Sequence, residues 1–138
     1  RQCIVASIDC YKNFWGKYKA CKREGDKYIY KDLIDYIVTV EETGVGEIFL
    51  QSINNDGMMC GYDLKLIELS KLYTTVPIIA CGGAKCREDF GKVVSVGASA
   101  ASAGSVFVYS STNKSVLINY PSIKLREKII DKTQSVGV

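Results

Sequence analysis

The 138 residues, 47% hydrophobic and 24% charged, have the length of one domain and the composition of an ordinary globular protein. A net charge of +3, with 18 basic residues spread along the chain, excludes the dense basic stripe of a nucleic-acid binder. No apolar run approaches the roughly 18 residues of a membrane span and no basic-then-apolar leader opens the chain, so the expectation is a cytoplasmic protein that touches neither nucleic acid nor membrane.

Residues 3–8, Cys-Ile-Val-Ala-Ser-Ile, read as a buried strand ending at Asp9. Residues 10–31 are polar, aromatic and lysine-rich, too long for a plain connection, and suit a functional loop or a small hairpin. Phe14, Trp15 and Tyr18 are expected to pack under that loop. From Asp32, a plausible N-cap, Leu33, Ile34, Ile37, Val38 and Val40 repeat with helical spacing until Gly44. Residues 47–53, Glu-Ile-Phe-Leu-Gln-Ser-Ile, form a second buried strand, and Asn54-Asn-Asp-Gly57 is a turn by composition. A helix over about 63–72, capped by Asp63, turns Leu64, Ile67, Leu69 and Leu72 inward.

The stretch Val76-Pro-Ile-Ile-Ala-Cys-Gly-Gly-Ala84 organises the rest. Its continuous apolar run suits a buried parallel strand. Gly82 and Gly83 at its end let the backbone turn tightly and approach a ligand, and N–H groups there or at the next helix start can hold a phosphate. A plain tight turn is the alternative. A third helix spans about 87–96 with Phe90, Val93, Val94 and Val96 inward, and residues 98–103 make a fourth strand ending at Gly104 and Ser105. Residues 105–109 suit a short helix, Pro121 the first turn of a last helix to about Ile130, and 132–138 a frayed end.

The order β-α-β-α-β-α-β-α implies a parallel sheet with right-handed crossovers. Four such units make either a small doubly wound sheet or half of a (β/α)₈ barrel, which needs about 250 residues. Composition does not separate the two. A weak internal repeat, Ala6-Ser-Ile-Asp9 and Gln51-Ser-Ile-Asn54, is compatible with both. The absence of histidine removes Ser-His and Cys-His catalysis. The six cysteines, at 3, 10, 21, 60, 81 and 86, contain no Cys-x-x-Cys pair and read as reduced thiols. With no metal set and no nucleotide fingerprint, no cofactor is expected.

Four ordered motifs carry a resemblance: Glu47-Ile-Phe-Leu-Gln-Ser-Ile-Asn-Asn-Asp-Gly57, Gly61-Tyr-Asp63, Pro77-Ile-Ile-Ala-Cys-Gly-Gly83 and Ala103-Gly-Ser-Val-Phe107. Together with Ser7-Ile-Asp9 they resemble the cyclase subunit of imidazole glycerol phosphate synthase, a (β/α)₈ barrel. The likeness runs from residue 2 to about 110 and covers strands five to eight. The implied fold is therefore a (βα)₄ half of a TIM barrel, residues 1–138 as one unit, pairing to complete a barrel.

The resemblance implies roles. Asp9 matches one of two catalytic aspartates, which move a proton as ammonia attacks a ribulose-bearing imidazole precursor and the ring closes; otherwise it caps a loop. Asp56 and Gly57 match a substrate-facing Asp-Gly, or a hairpin-type turn. Gln51 stands where the family has threonine and Asn54 where it has aspartate. Gly82, Gly83, Gly104 and Ser105 match the phosphate cradle after strands seven and eight, or close packing of small residues. Glu47 matches a ring of charges gating ammonia at the opposite end of the barrel, or an exposed strand start. The implied activity is the cyclase step of histidine biosynthesis, yielding imidazole glycerol phosphate and aminoimidazole carboxamide ribotide, with a glutaminase subunit as partner and a phosphorylated small molecule as substrate. Residues 116–122, with Asn54 and Gln51, fit instead a sister branch that relays ammonia in amidation of bacterial surface sugars. A non-catalytic phosphate-binding half-barrel is the third reading. The bare sheet edges of a half-barrel predict self-association.

Overall fold

Apolar runs of two kinds alternate along the chain, and each finds the element its period prescribes. The structure, a computed structural model, describes residues 3–104, 109–110, 115–116 and 127. The order is β1 (Val5–Lys12), β2 (Tyr18–Glu24), β3 (Lys27–Asp32), α1 (Leu33–Glu42), β4 (Glu47–Ser52), α2 (Leu64–Lys71), β5 (Ile78–Cys81), α3 (Glu88–Ser95) and β6 (Ala100–Ser102). A small antiparallel pair, β7 (Tyr109–Ser110) and β8 (Ser115–Val116), follows. Ser105, the last helix from Pro121 save Glu127, and the end at 132–138 lie outside the described residues; so does the short helix expected over 105–109, except Tyr109, which belongs to β7 instead.

The first six strands form one sheet in the order β3-β2-β1-β4-β5-β6. Strands β1, β4, β5 and β6 are mutually parallel. Each is added beside its predecessor in one direction, so right-handed crossovers place the helices on a single face. The core agrees: Ile8, Ile48, Leu50 and Ile78 of the sheet share one cluster with Leu33, Ile37, Leu66, Ile67 and Val93 of the helices. A doubly wound sheet reverses its order at a switch point, and this sheet does not. The half-barrel is the architecture the strand order selects.

Residues 10–31 are the hairpin alternative. β1 does not stop at Asp9 but continues through Cys10, Tyr11 and Lys12, because β2 supplies an antiparallel partner beyond the end of the parallel pairing. The turn between them is closed by the Asn13 N–H to Lys17 O and the Gly16 N–H to Asn13 O, both at 2.9 Å. That turn thrusts Phe14 and Trp15 into solvent, 95% and 82% exposed, where their rings meet only edge to face at 6.1 Å. They do not pack under the loop. Tyr18 does turn inward, and its hydroxyl donates to both oxygens of Asp63 at 2.8 and 3.0 Å.

Asp32 caps α1 by accepting the Ile34 N–H at 3.1 Å, and Asp63 caps α2 by accepting the Leu66 N–H at 3.1 Å. In α2 the buried side chains are Leu66, Ile67 and Ser70, whereas Leu72 falls beyond the helix as its C-cap and is exposed. Helix α3 lacks a side-chain N-cap at Arg87. Its first turn uses Asp89 instead, which is buried and accepts the N–H groups of Lys85 and Cys86 at 3.0 and 3.2 Å and the Lys92 Nζ at 3.0 Å.

Burial opposes the charge on Asp89, but the Lys92 ammonium and the two backbone donors outweigh it and hold the carboxyl below the ordinary aspartate value of 3.8. A depressed folded-state pKa contributes stability that is complete above the unfolded value and is lost as pH falls through the folded one. Asp89→Asn is expected to cost about 1–3 kcal/mol at neutral pH. Its deficit against the parent should shrink in urea titrations below about pH 4, where the parent's advantage titrates away.

Candidate functional site

The carboxyl ends of the parallel strands bring the sequence-predicted residues to one row. Asp9 is in register with Gln51, Gln51 with Cys81, and Cys81 with Ser102. On the hairpin side Asp9 pairs with Cys21, and Cys21 with Tyr30. Side chains alternate across a strand. Ile8, Cys10, Leu50, Ser52 and Ala80 are buried toward the helices, so this row stands on the opposite face. Among the described residues no helix covers that face. Phe49 and Ile79, one layer below the row, are only half-buried. Strand spacing puts Asp9 about 10 Å from Cys81 along the row.

Glu47 lies at the other end of β4, in register with Val5 and four residues before Gln51. That separates it from the row by about 13 Å. It is half-buried, on the same helix-free face.

Above the row, the β4–α2 loop folds back. Gln51 Nε2 donates to Asp56 Oδ2 at 3.0 Å, tying the strand end to the acidic turn. An open cleft of about 270 Å³ is lined by Asp56, Gly57 and Met59 of this loop, Cys81 at the end of β5, Gly82 to Ala84 of the turn that follows it, and Ala103 and Gly104 beyond β6. Thus five expected residues, Asp56, Gly57, Gly82, Gly83 and Gly104, meet around one cavity. Asp9 and Gln51 lie in the row below rather than in its lining.

The double glycine is required by space as well as by dihedral angle. Gly82 and Gly83 are buried at φ of 95° and 94°. A Cβ on Gly82 would stand 2.7 Å from the Ser52 carbonyl oxygen, and one on Gly83 would overlap the Gly61 carbonyl oxygen and come within 2.8 Å of Asn55 Cβ. Gly61 N–H donates to the Gly83 carbonyl at 2.7 Å, and Asn55 Nδ2 donates to the Gly61 carbonyl at 3.0 Å. Sequence reading missed Asn55 because it sits in a run whose composition already signals a turn. Its bond to Gly61 stays within the β4–α2 loop, and its use shows only when the fold brings Gly83 against Gly61.

Asn54 has a structural explanation. Its Oδ1 accepts the Lys12 N–H at 2.7 Å and its Nδ2 donates to the Lys12 carbonyl at 3.2 Å. The amide imitates a strand residue and pins the hairpin to the β4–α2 loop. An aspartate can make the first bond but not the second. Cys81 was also missed, being read as part of an apolar run. Burial pushes its thiol pKa up, and Asp56 and Asp9 add to the rise against the lowering effect of Ser102 and the Gly82 N–H. The thiol is a protonated wall of the site. Tyr11 and Tyr30, with ring centroids 5.7 Å apart, flank the row on the hairpin side.

Comparison with known proteins adds the following. The family model described as histidine biosynthesis protein matches residues 1–113. The chain is 40% identical over 123 residues to hisF2 of Pseudomonas aeruginosa, assigned provisionally as an imidazole glycerol phosphate synthase subunit, covering 88% of this chain and 49% of that protein. It is 39% identical over 136 residues to hisF3 of Vibrio vulnificus, assigned provisionally in the same way, covering 95% of this chain and 51% of that protein. It is 40% identical over 106 residues to the imidazole glycerol phosphate synthase subunit HisF of Dictyoglomus thermophilum, covering 77% of this chain and 42% of that protein. The chain therefore spans about half the length of the curated relatives it matches.

Gly83→Ala is expected to destabilise the chain by about 2 kcal/mol or more, from the left-handed φ and the overlap with Gly61. Urea unfolding checks it, and an alanine variant as stable as its parent contradicts the geometry.

Proposed function

The chain belongs to the histidine biosynthesis protein family, and we propose that residues 1–138 are a single unit, strands five to eight of a cyclase barrel of imidazole glycerol phosphate synthase. One observation carries the reading. A glycine-walled cleft opens at the same sheet end as Asp9, Gln51 and Asp56, on the face that a closed barrel turns inward.

In this reading the cleft takes a substrate phosphate through backbone N–H groups of the Gly82–Ala84 turn and of Gly104. Such groups offer partial positive charge without a side chain. Asp9 accepts and returns the proton as ammonia attacks the ketose carbon and the imidazole ring closes. Asp56, oriented by Gln51, hydrogen-bonds the substrate beside the phosphate. Glu47, at the far end of the same face, stands where ammonia enters from a glutaminase partner. The products are imidazole glycerol phosphate and aminoimidazole carboxamide ribotide, made in the cytoplasm without a cofactor. The 138-residue chain by itself supplies one of the two carboxylates and one of the two phosphate sites, so its own turnover is negligible.

A second reading is supported by Asn54 and Gln51. Both replace the family's residues with amides, and Asn54 is committed to the Lys12 backbone. In that reading the barrel relays ammonia for surface-sugar amidation, and ring closure is lost while phosphate binding persists. The reading of a phosphate-binding half-barrel without chemistry shares that outcome. Ring closure by a full-length barrel carrying this segment, with ammonium as the nitrogen source, separates them from the cyclase.

Under the cyclase reading, Asp9→Asn in the full-length barrel lowers kcat by about 10²–10⁴-fold with KM little changed. Unchanged turnover in the variant refutes the role of Asp9, and an inactive parent refutes the cyclase reading. The bare sheet face and the exposed β3 edge also support pairing of two copies into a closed shape. Light scattering at micromolar concentration should give about twice the 15.2 kDa chain mass; a monodisperse monomer rules the pairing out.

A further inference from the structure

We propose that Asn55 is a positioning residue that aims the backbone amides of the Gly83–Ala84 turn at the bound phosphate. The inference rests on the cradle reading of the cleft given above. Asn55 is half-buried in the β4–α2 loop and does not line the cleft. It acts through Gly61. Asn55 Nδ2 holds the Gly61 carbonyl at 3.0 Å, and the Gly61 N–H holds the Gly83 carbonyl at 2.7 Å.

A trans peptide is planar, and its C=O and N–H point in opposite directions. Drawing the Gly83 carbonyl toward Gly61 turns the Ala84 N–H away from Gly61, and both Gly83 and Ala84 line the cleft. The direction of that N–H is therefore set from the far side of the turn.

The restraint is needed because the segments it joins are permissive. Gly61, Gly82 and Gly83 all adopt left-handed φ, at 94°, 95° and 94°, and glycine populates many other conformations at little cost. Asn55 also supplies the wall, with its Cβ 2.8 Å from the point where a Gly83 Cβ would stand. Among the described residues the other side-chain hydrogen bond to the Gly61 carbonyl is from the Cys60 thiol at 3.7 Å, a weak donor. Removing the Asn55 amide while keeping its Cβ leaves the wall and releases the clamp. An anion site built from loosened amides binds less tightly because ordering them again opposes binding.

The test is a titration of the ¹⁵N-labelled 138-residue chain with inorganic phosphate, following the Gly83 and Ala84 amides, together with hydrogen exchange at the Gly61 amide. In the parent, phosphate should shift both amides. Asn55→Ala should weaken phosphate binding by about tenfold and speed Gly61 exchange by a similar factor. Asn55→Gln, which restores a donor, should recover most of both. A merely structural asparagine would lower the urea midpoint without changing phosphate affinity at temperatures where the variant is folded. If Asn55→Ala does not fold, Asn55→Ser, which keeps the Cβ and a short donor, supplies the comparison and should lie between Ala and parent. Equal phosphate affinity in parent and folded variants overturns the positioning role while leaving the cradle intact. No amide shift in the parent overturns the cradle and the positioning role with it.

Discussion

The site depends on backbone meeting backbone at Gly83. Two segments far apart in sequence, the β4–α2 loop at Asn55 and Gly61 and the β5–α3 turn at Gly83, converge where a side chain cannot fit. The contact is short range and unforgiving: a single methyl group would strike a carbonyl oxygen. It is also what allows the β5–α3 turn to lie low over the strand ends, so that its peptide groups rather than its side chains face the cleft. The flanking devices work to the same end. Asp89 gathers the Lys85 and Cys86 amides on the helix side of the turn, and Asn55 and Gly61 hold its other side.

Below this junction the sheet is asymmetric. Winding in one direction gives one face all the helices and leaves the other to Ser7, Asp9, Phe49, Gln51, Ile79 and Cys81. The polarity of that bare face is graded. Apolar Phe49 and Ile79 share a layer, and above them lie an acid, an amide and a thiol in one register row. A face of this composition suits enclosure: apolar where strands would interdigitate, polar where a small molecule would sit.

Much of this was legible in the sequence where the determinants are local. Asp32 and Asp63 announce helix starts because an N-cap acts within three residues. The apolar run 47–53 and the strand into Gly82 and Gly83 declare themselves by composition. What was not legible depends on pairing across the chain. β1 outruns Asp9 because β2 is there to receive it, which no window around residue 10 reveals. Phe14 and Trp15 look like core by type and are outside by turn geometry. Leu72 fits a helical period that the helix abandons one residue earlier. Asn54 and Asn55 read as turn formers, yet Asn54 spends its amide on the distant Lys12 backbone and Asn55 on the Gly61 carbonyl that in turn braces Gly83. The choice between a doubly wound sheet and a half-barrel rests on strand order, a property of the sheet and not of any strand.

The hairpin tip has a practical consequence. Trp15 is the chain's one tryptophan, and it stands in water at the end of a projecting turn rather than in the core. Its emission in the native chain is then already that of a solvated indole, so intrinsic tryptophan fluorescence is nearly blind to loss of the core. The same placement makes it a selective optical probe of the hairpin. A blue shift on mixing with another macromolecule reports that the tip has been covered, at the rim where the open face of the sheet begins.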